Sequence, residues 1–192
     1  MNEDTRKKIA EAIETHRKLL SEFETNSIDT IAAAAEAIIK SLQGGGRVYL
    51  CGNGGSAADA QHIACEFVGR FQRQRKGLPA VALTTDTSAM TSISNDYGYE
   101  NVFARQAEAL VEKGDIFWAI STSGTSANVI AAVESAGKKG ACVLAFTGKS
   151  NSKLEQMADI CFCADGSTPR SQELHQLAYH IICDLVEQSF AK

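Results

Sequence analysis

The chain has 192 residues, 44% of them hydrophobic, with 19 Lys and Arg against 23 Asp and Glu for a formal net charge of −4. That length supports one well-packed core and a single domain over 1–192, and the acidic balance excludes a nonspecific nucleic-acid binder, which needs a broad basic face. The charged start Asn2-Glu3-Asp4-Thr5-Arg6-Lys7 lacks a signal peptide's apolar segment and no later run reaches membrane-spanning length, so a soluble, cytoplasmic protein with no membrane partner is expected.

In chain order, Ile9, Ala12, Ile13, His16, Leu19, Leu20 and Phe23 recur at helical spacings and place one apolar stripe on a first helix, with His16 read as packing. A second helix begins near Asn26 or Ser27, runs from Ile31 to Leu42 and ends at Gly44-Gly45-Gly46. This pair, 1–45, precedes the core, 46–192, and either covers a sheet face or packs against another subunit. The core alternates: strand 47–51, helix 56–73, strand 80–84, helices within 87–112, strand 116–121, helix 126–137, strand 141–147, short helix 152–158, strand 160–164 and a last helix from 170 to about 189. Such alternation predicts an α/β, three-layer αβα sandwich on a five-stranded parallel sheet. In the flavodoxin-like order 2-1-3-4-5, the crevice lies between the carboxyl ends of strands one and three.

The cluster Arg70, Arg73, Arg75 and Lys76 falls at the predicted end of the third helix and reads as solvated cations facing the helix dipole. Six cysteines, mostly in apolar patterns and without C-x-x-C spacing, read as reduced core thiols.

Two polar loops follow strands one and three: Gly52-Asn53-Gly54-Gly55-Ser56 and Ser121-Thr122-Ser123-Gly124-Thr125-Ser126. Each leads into a helix, where backbone N–H groups converge on an anion. One N-cap needs one hydroxyl, so five hydroxyls in six residues point to a phosphate monoester. Gly52 to Ala57 also fits G-x-G-x-x-A, yet the nearest acid after the second strand, Asp86, lies too far on for a dinucleotide site. Gly148-Lys149-Ser150 has Val143 where a P-loop needs Gly, and is a turn.

The third predicted helix carries His62 and Glu66 on one face, with Asp59 one turn earlier; the last carries His180 on a broad face with Gln172 and Gln176, while His175 points largely elsewhere. Imidazoles and a carboxylate beside a phosphate loop can hold a divalent metal such as zinc, or move protons. A carboxylate that takes a proton from carbon next to a polarised carbonyl is the equipment for aldose-ketose interconversion through an enediol.

The run Cys51 to Ala57, then His62 and Glu66, Asn95-Asp96, Ser121-Thr122-Ser123-Gly124, Thr147-Gly148-Lys149, and Gln172-Glu173-Leu174-His175 with His180, resembles the sedoheptulose 7-phosphate isomerases of the sugar isomerase (SIS) domain group. The resemblance spans nearly the whole chain, the N-terminal helix pair included. It implies an SIS fold and conversion of D-sedoheptulose 7-phosphate to D-glycero-D-manno-heptose 7-phosphate, the first step toward activated heptose for surface polysaccharide such as lipopolysaccharide. It also implies a homotetramer with active sites at subunit contacts and one zinc per subunit. Carried over by position, His62, Glu66, Gln172 and His180 match the metal ligands, and Glu66 and His180 the proton-transferring pair. Asn53, Gly54, Gly55, Ser56, Glu66, Asn95, Asp96, Ser121, Thr122, Ser123, Ser126 and Gln172 match substrate-contacting positions. Pro169 stands where relatives often carry an acidic or small residue, which removes any carboxylate there while suiting a first helical turn.

Two other readings use the same fold: a non-catalytic SIS tetramer that binds the bacterial replication initiator, and an isomerase of another sugar phosphate. The scaffold relatives lack the glutamate and the final histidine, both present here as Glu66 and His180.

Overall fold

The computed structural model describes residues 2–191. Two helices, α1 (Glu3–Asn26) and α2 (Ile28–Gln43), lead into β1 (Val48–Gly52), α3 (Gly55–Val68), β2 (Ala80–Ala82), α4 (Thr87–Tyr97), a 3-10 turn (Tyr99–Asn101) and α5 (Val102–Leu110). Then come β3 (Ile116–Ser121), α6 (Ala127–Lys139), β4 (Cys142–Thr147), α7 (Lys153–Met157), β5 (Ile160–Cys163) and α8 (Thr168–Phe190). The five strands are parallel in the order β2-β1-β3-β4-β5. That is the expected order, and it sets β1 beside β3 with Gly52 opposite Ile120 at their carboxyl ends.

Every residue of β1 and β3 is buried, as a parallel sheet covered on both faces requires. One face carries Leu50, Trp118, Phe146 and Phe162 against α2, α3 and α8; the other carries Tyr49, Cys51, Phe117 and Ala119 against α5 and α6. Pro169 sits in the first turn of α8, where its missing N–H costs nothing.

Three expectations need correction. The third helix stops at Val68, and the segment beyond it is irregular up to β2. Arg75 is therefore no solvated helix end: its side chain is 2% exposed and lies 3.3 Å from Glu187 of α8. Arg73 pairs with Asp184. Secondly, the stripe on α1 is only half used: Phe23 is buried, while Ile9 and Ile13 stand 49% and 55% exposed. His16 is polar in its role, with Nδ1 2.7 Å from Glu173 Oε2 on α8. Thirdly, all six cysteines are free, but Cys65 is exposed, not a core thiol. Among the described residues, no helix is long and apolar enough to cross a membrane.

Candidate active site

The two loops meet where the strand order reverses. Gly52 ends β1 because a Cβ there would come within 2.7 Å of Ser56 O, and Gly54 takes a positive φ of 55° as α3 begins. Gly124, at φ 63°, lets the second loop fold back so that its N–H donates to Ser121 O at 2.9 Å. Asn53 Nδ2 donates to Asn128 Oδ1 and Asn128 Nδ2 to Asn53 Oδ1, both at 2.8 Å, which ties the first loop to the first turn of α6. Tyr99 donates its hydroxyl to the same Asn53 oxygen at 3.2 Å.

Between the loops lies a cavity of about 80 Å³ lined by Asn53, Ser56, Ile120, Ser121, Thr122, Ser123 and Ser126. Ser126 is the N-cap of α6 yet makes no side-chain capping bond; its Oγ lies 3.0 Å from Ser121 Oγ instead. The hydroxyls are thus not consumed in capping, and α3 too starts without a side-chain cap. Hydroxyls held mostly to one another, beside two helix starts that have no side-chain cap, around a small polar cavity suit an anion with several acceptor oxygens. A larger cleft, about 530 Å³, opens near Lys40, Arg47 and Lys113 at the amino ends of β1, β3 and β4, the opposite end of the strands from the loops, and holds none of the proposed reacting groups.

Further along α3, His62 Nε2 faces Glu66 Oε1 at 3.1 Å. The His180 ring from α8 crosses that of His62 at a centroid distance of 5.1 Å and an angle of 77°. Tyr179, fully buried, sits edge-on to both rings, and its hydroxyl lies 3.0 Å from His62 Nδ1 and 3.4 Å from Asp59 Oδ1. Phe71 lies against His180 with centroids 5.6 Å apart. Burial, and then the neighbouring His62, hold the His180 imidazole below its ordinary pKa, against the opposing pull of Glu66. Burial raises the Asp59 carboxyl, opposed by the Tyr179 hydrogen bond and by His62.

The structure brings His62, Glu66 and His180 together and leaves Gln172 nearer the start of α3, where a Cβ on Gly55 would come 2.3 Å from Gln172 Nε2. Among the described residues, no group of three or more His, Cys, Asp or Glu side chains is arranged as a metal site. The donor chemistry nevertheless fits zinc. Two imidazoles and a carboxylate converge, and His62 Nε2 and Glu66 Oε1 share a position that a proton or a cation must fill, because two bare acceptors repel. Asn95 and Asp96 lie exposed on α4, joined to each other at 2.8 Å; among the described residues no hydrogen bond links either to the two loops. His175, set aside in the sequence, is a buried ring donating from Nε2 to Thr147 O at 3.0 Å.

Sequence reasoning missed Tyr179, Tyr99 and Asn128. Asn128 was within reach, because an amide two residues after an N-cap can face back across the loop. Tyr179 was not: it neighbours His180 in sequence and thus falls on a different helical face, and only the burial of α8 on two sides brings both inward.

The sequence pattern of the SIS domain matches residues 13–148. A phosphoheptose isomerase of Roseiflexus sp. is 55% identical over 160 residues, covering 83% of this chain and 81% of that protein. One from Geobacter metallireducens is 45% identical over 193 residues and spans 100% of both chains. The structure of a phosphoheptose isomerase from Francisella tularensis superposes with a TM-score of 0.93 at 36% identity, covering 98% of this chain and 100% of that one. With its crevice loops and its paired histidine and glutamate helices in place, the chain belongs to the SIS domain family, among the phosphoheptose isomerases.

Proposed function

We propose that the protein interconverts D-sedoheptulose 7-phosphate and D-glycero-D-manno-heptose 7-phosphate through an enediol, supplying the first intermediate of activated heptose synthesis in the cytoplasm. The observation that carries this reading is that one helix, α3, begins at the hydroxyl-lined cavity and carries His62 and Glu66 further along the same rod. From Gly55 to His62 the helix rises about 10 Å, at ~1.5 Å per residue, a reach suited to a phosphate at one end of an open-chain sugar and a carbonyl at the other.

In this mechanism Ser121, Thr122, Ser123 and Ser126, with the N–H groups at the start of α6, hold the phosphate, and Asn53 and Ser56 line the path toward Glu66. The Glu66 carboxylate accepts the proton leaving C1 of the ketose. His180, neutral at physiological pH because burial disfavours its charged form, relays a proton between the enediol oxygens, and the proton returns at C2 to give the aldose. His62, Glu66, His180 and Gln172 are the residues that would hold zinc, which would polarise the substrate oxygens. Phe71 and Tyr179 flank the histidine rings and limit water beside them.

A homotetramer, with Asn95 and Asp96 reaching a neighbouring site, is part of the proposal; the exposed Ile9 and Ile13 on α1 support burial between subunits. The test is turnover by purified protein of sedoheptulose 7-phosphate against pentulose and hexulose phosphates, with Glu66→Gln alongside. Heptulose phosphate should be preferred and the variant should lose about 10² to 10⁴ in rate. A preference for a shorter sugar phosphate, or an unimpaired variant, overturns the reading.

A further inference from the structure

We propose that Asn128 is a positioning residue for Asn53: it fixes the Asn53 amide so that this side chain offers a ligand in the adjoining cavity one N–H donor and no acceptor. The consequence for binding rests on the anion proposed for that cavity; the orientation of the amide does not.

A backbone N–H only donates, so the side-chain atom that faces it is an acceptor. The N–H of Val129, in the first turn of α6, reaches the Asn128 side chain at 3.0 Å and shares its hydrogen with Ser126 O at 3.1 Å. That contact assigns the Asn128 atom as Oδ1 and leaves Nδ2 at the other end of the amide. Asn53 meets both ends at once, at 2.8 Å each. Its nitrogen therefore stands opposite Asn128 Oδ1, and its oxygen opposite Asn128 Nδ2. Turned the other way, Asn53 would set N–H against N–H and oxygen against oxygen. Both bonds would then be lost beside a residue only 4% exposed, where water does not replace them.

A side-chain amide has two hydrogens to donate and two oxygen lone pairs. The Asn53 oxygen accepts from Asn128 Nδ2 and from the Tyr99 hydroxyl at 3.2 Å, which fills both lone pairs. One Nδ2 hydrogen goes to Asn128. Among the described residues the second has no partner, and Asn53 lines the cavity between the two loops. What is left for a ligand is a single donor, suited to an anionic oxygen. The serine and threonine hydroxyls around it can rotate to donate or accept, whereas this N–H is fixed. Asn128 does not line the cavity, so it acts through Asn53.

Asn128→Leu keeps much of the volume and removes both bonds to Asn53, with Asn128→Ala in its place should the leucine variant not fold; Asn53→Ala removes the donor itself. Calorimetry of the full-length protein with inorganic phosphate completes a double-mutant cycle. Asn53→Ala should weaken phosphate about tenfold, the worth of a hydrogen bond to a charged partner, and the Asn128 variant about threefold, since a freed amide still donates part of the time. The double variant should be no weaker than Asn53→Ala alone, because Asn128 has nothing left to position. Losses that multiply in the double variant, or an Asn128 variant that binds phosphate as the wild type does, overturn the proposal. The second readout needs no ligand: solvent exchange of the two Asn53 Nδ2 hydrogens, resolved by ¹⁵N NMR. In the wild type one should be protected and the other not, and the Asn128 variants should lose the difference. Equal exchange of both in the wild type also overturns the proposal. If the wild type binds no phosphate yet the difference is present and is lost in the Asn128 variants, the positioning role is supported and the anion reading of the cavity fails.

Discussion

Arg75 and Glu187 form a buried ion pair that fastens the chain after α3 to α8, with side chains 2% and 1% exposed and Nε 3.3 Å from Oε1. Glu187 accepts the N–H groups of Phe71, Gln72 and Arg73 at 2.6–2.8 Å, while Arg75 donates to the carbonyls of Glu66, Phe67, Gly69 and Lys76. The pair thereby fixes both the backbone of Glu66 and the segment whose Phe71 lies against His180. Burial pushes the Glu187 carboxyl up, but the three N–H groups and Arg75 outweigh it and leave it below the ordinary carboxylate value.

Glu187→Gln should therefore destabilise the fold strongly. The amide keeps the volume but leaves Arg75 buried without its countercharge, and breaking a buried pair costs about 3–5 kcal/mol. Urea unfolding at neutral pH measures this. A loss below about 1 kcal/mol, the range of surface pairs, would contradict the role assigned to the contact.

His175 predicts an acid-sensitive stability. Burial lowers its pKa from 6.5 to about 4, against the opposing effect of its bond to Thr147 O. Between those values the unfolded chain binds the proton and the folded chain does not, so stability rises with pH. The contribution is complete above the unfolded value and is lost as pH falls through the folded one, about 3 kcal/mol in all at ~1.4 kcal/mol per unit. His175→Gln, which keeps a donor but does not titrate, should flatten the dependence of unfolding free energy on pH between 6.5 and 4. An identical slope in the variant would show that other groups carry it.

Gly55→Ala should fold yet bind poorly. The added Cβ would fall 2.3 Å from Gln172 Nε2, the far end of a flexible side chain, so Gln172 must move away from the start of α3. Ala is the better helix former by ~1 kcal/mol, which offsets part of the crowding. Thermal midpoint within a few degrees of wild type together with a raised KM is the expected result; unchanged KM would remove Gln172 from substrate and metal contact.

Ser123→Ala should weaken phosphorylated sugars selectively. Ser123 Oγ is exposed at the cavity, 3.3 Å from Ser121 Oγ. A hydrogen bond to a charged partner is worth ~1.5–3 kcal/mol, roughly tenfold or more in affinity. Calorimetry with sedoheptulose 7-phosphate and with unphosphorylated sedoheptulose separates the two. Equal loss for both would move the phosphate elsewhere.

The alternation of strands and helices was legible because apolar runs and polar loops report local structure directly; the strand order is non-local and follows only from assuming the common doubly wound one, which the sheet has. The basic cluster was not legible. Arg73 and Arg75 look like any helix end until Asp184 and Glu187, more than a hundred residues on, are folded against them. His62 and Glu66 were legible as a pair by their four-residue spacing; Tyr179 was hidden because a hydroxyl's partners, Asp59 and His62, lie on another helix. Asn95 and Asp96 match the family pattern by position but lie exposed on α4, bonded to each other and, among the described residues, to neither loop.

The most direct test of the central claim, proton transfer to and from carbon at Glu66 and His180, is NMR of the aldose formed from sedoheptulose 7-phosphate by the wild-type enzyme in D₂O. Removal of a C1 proton onto a side chain that exchanges with solvent, followed by return at C2, predicts deuterium at C2, increasing over repeated reversible turnover. Aldose that forms with complete retention of protium at C2 after many turnovers would contradict the enediol route.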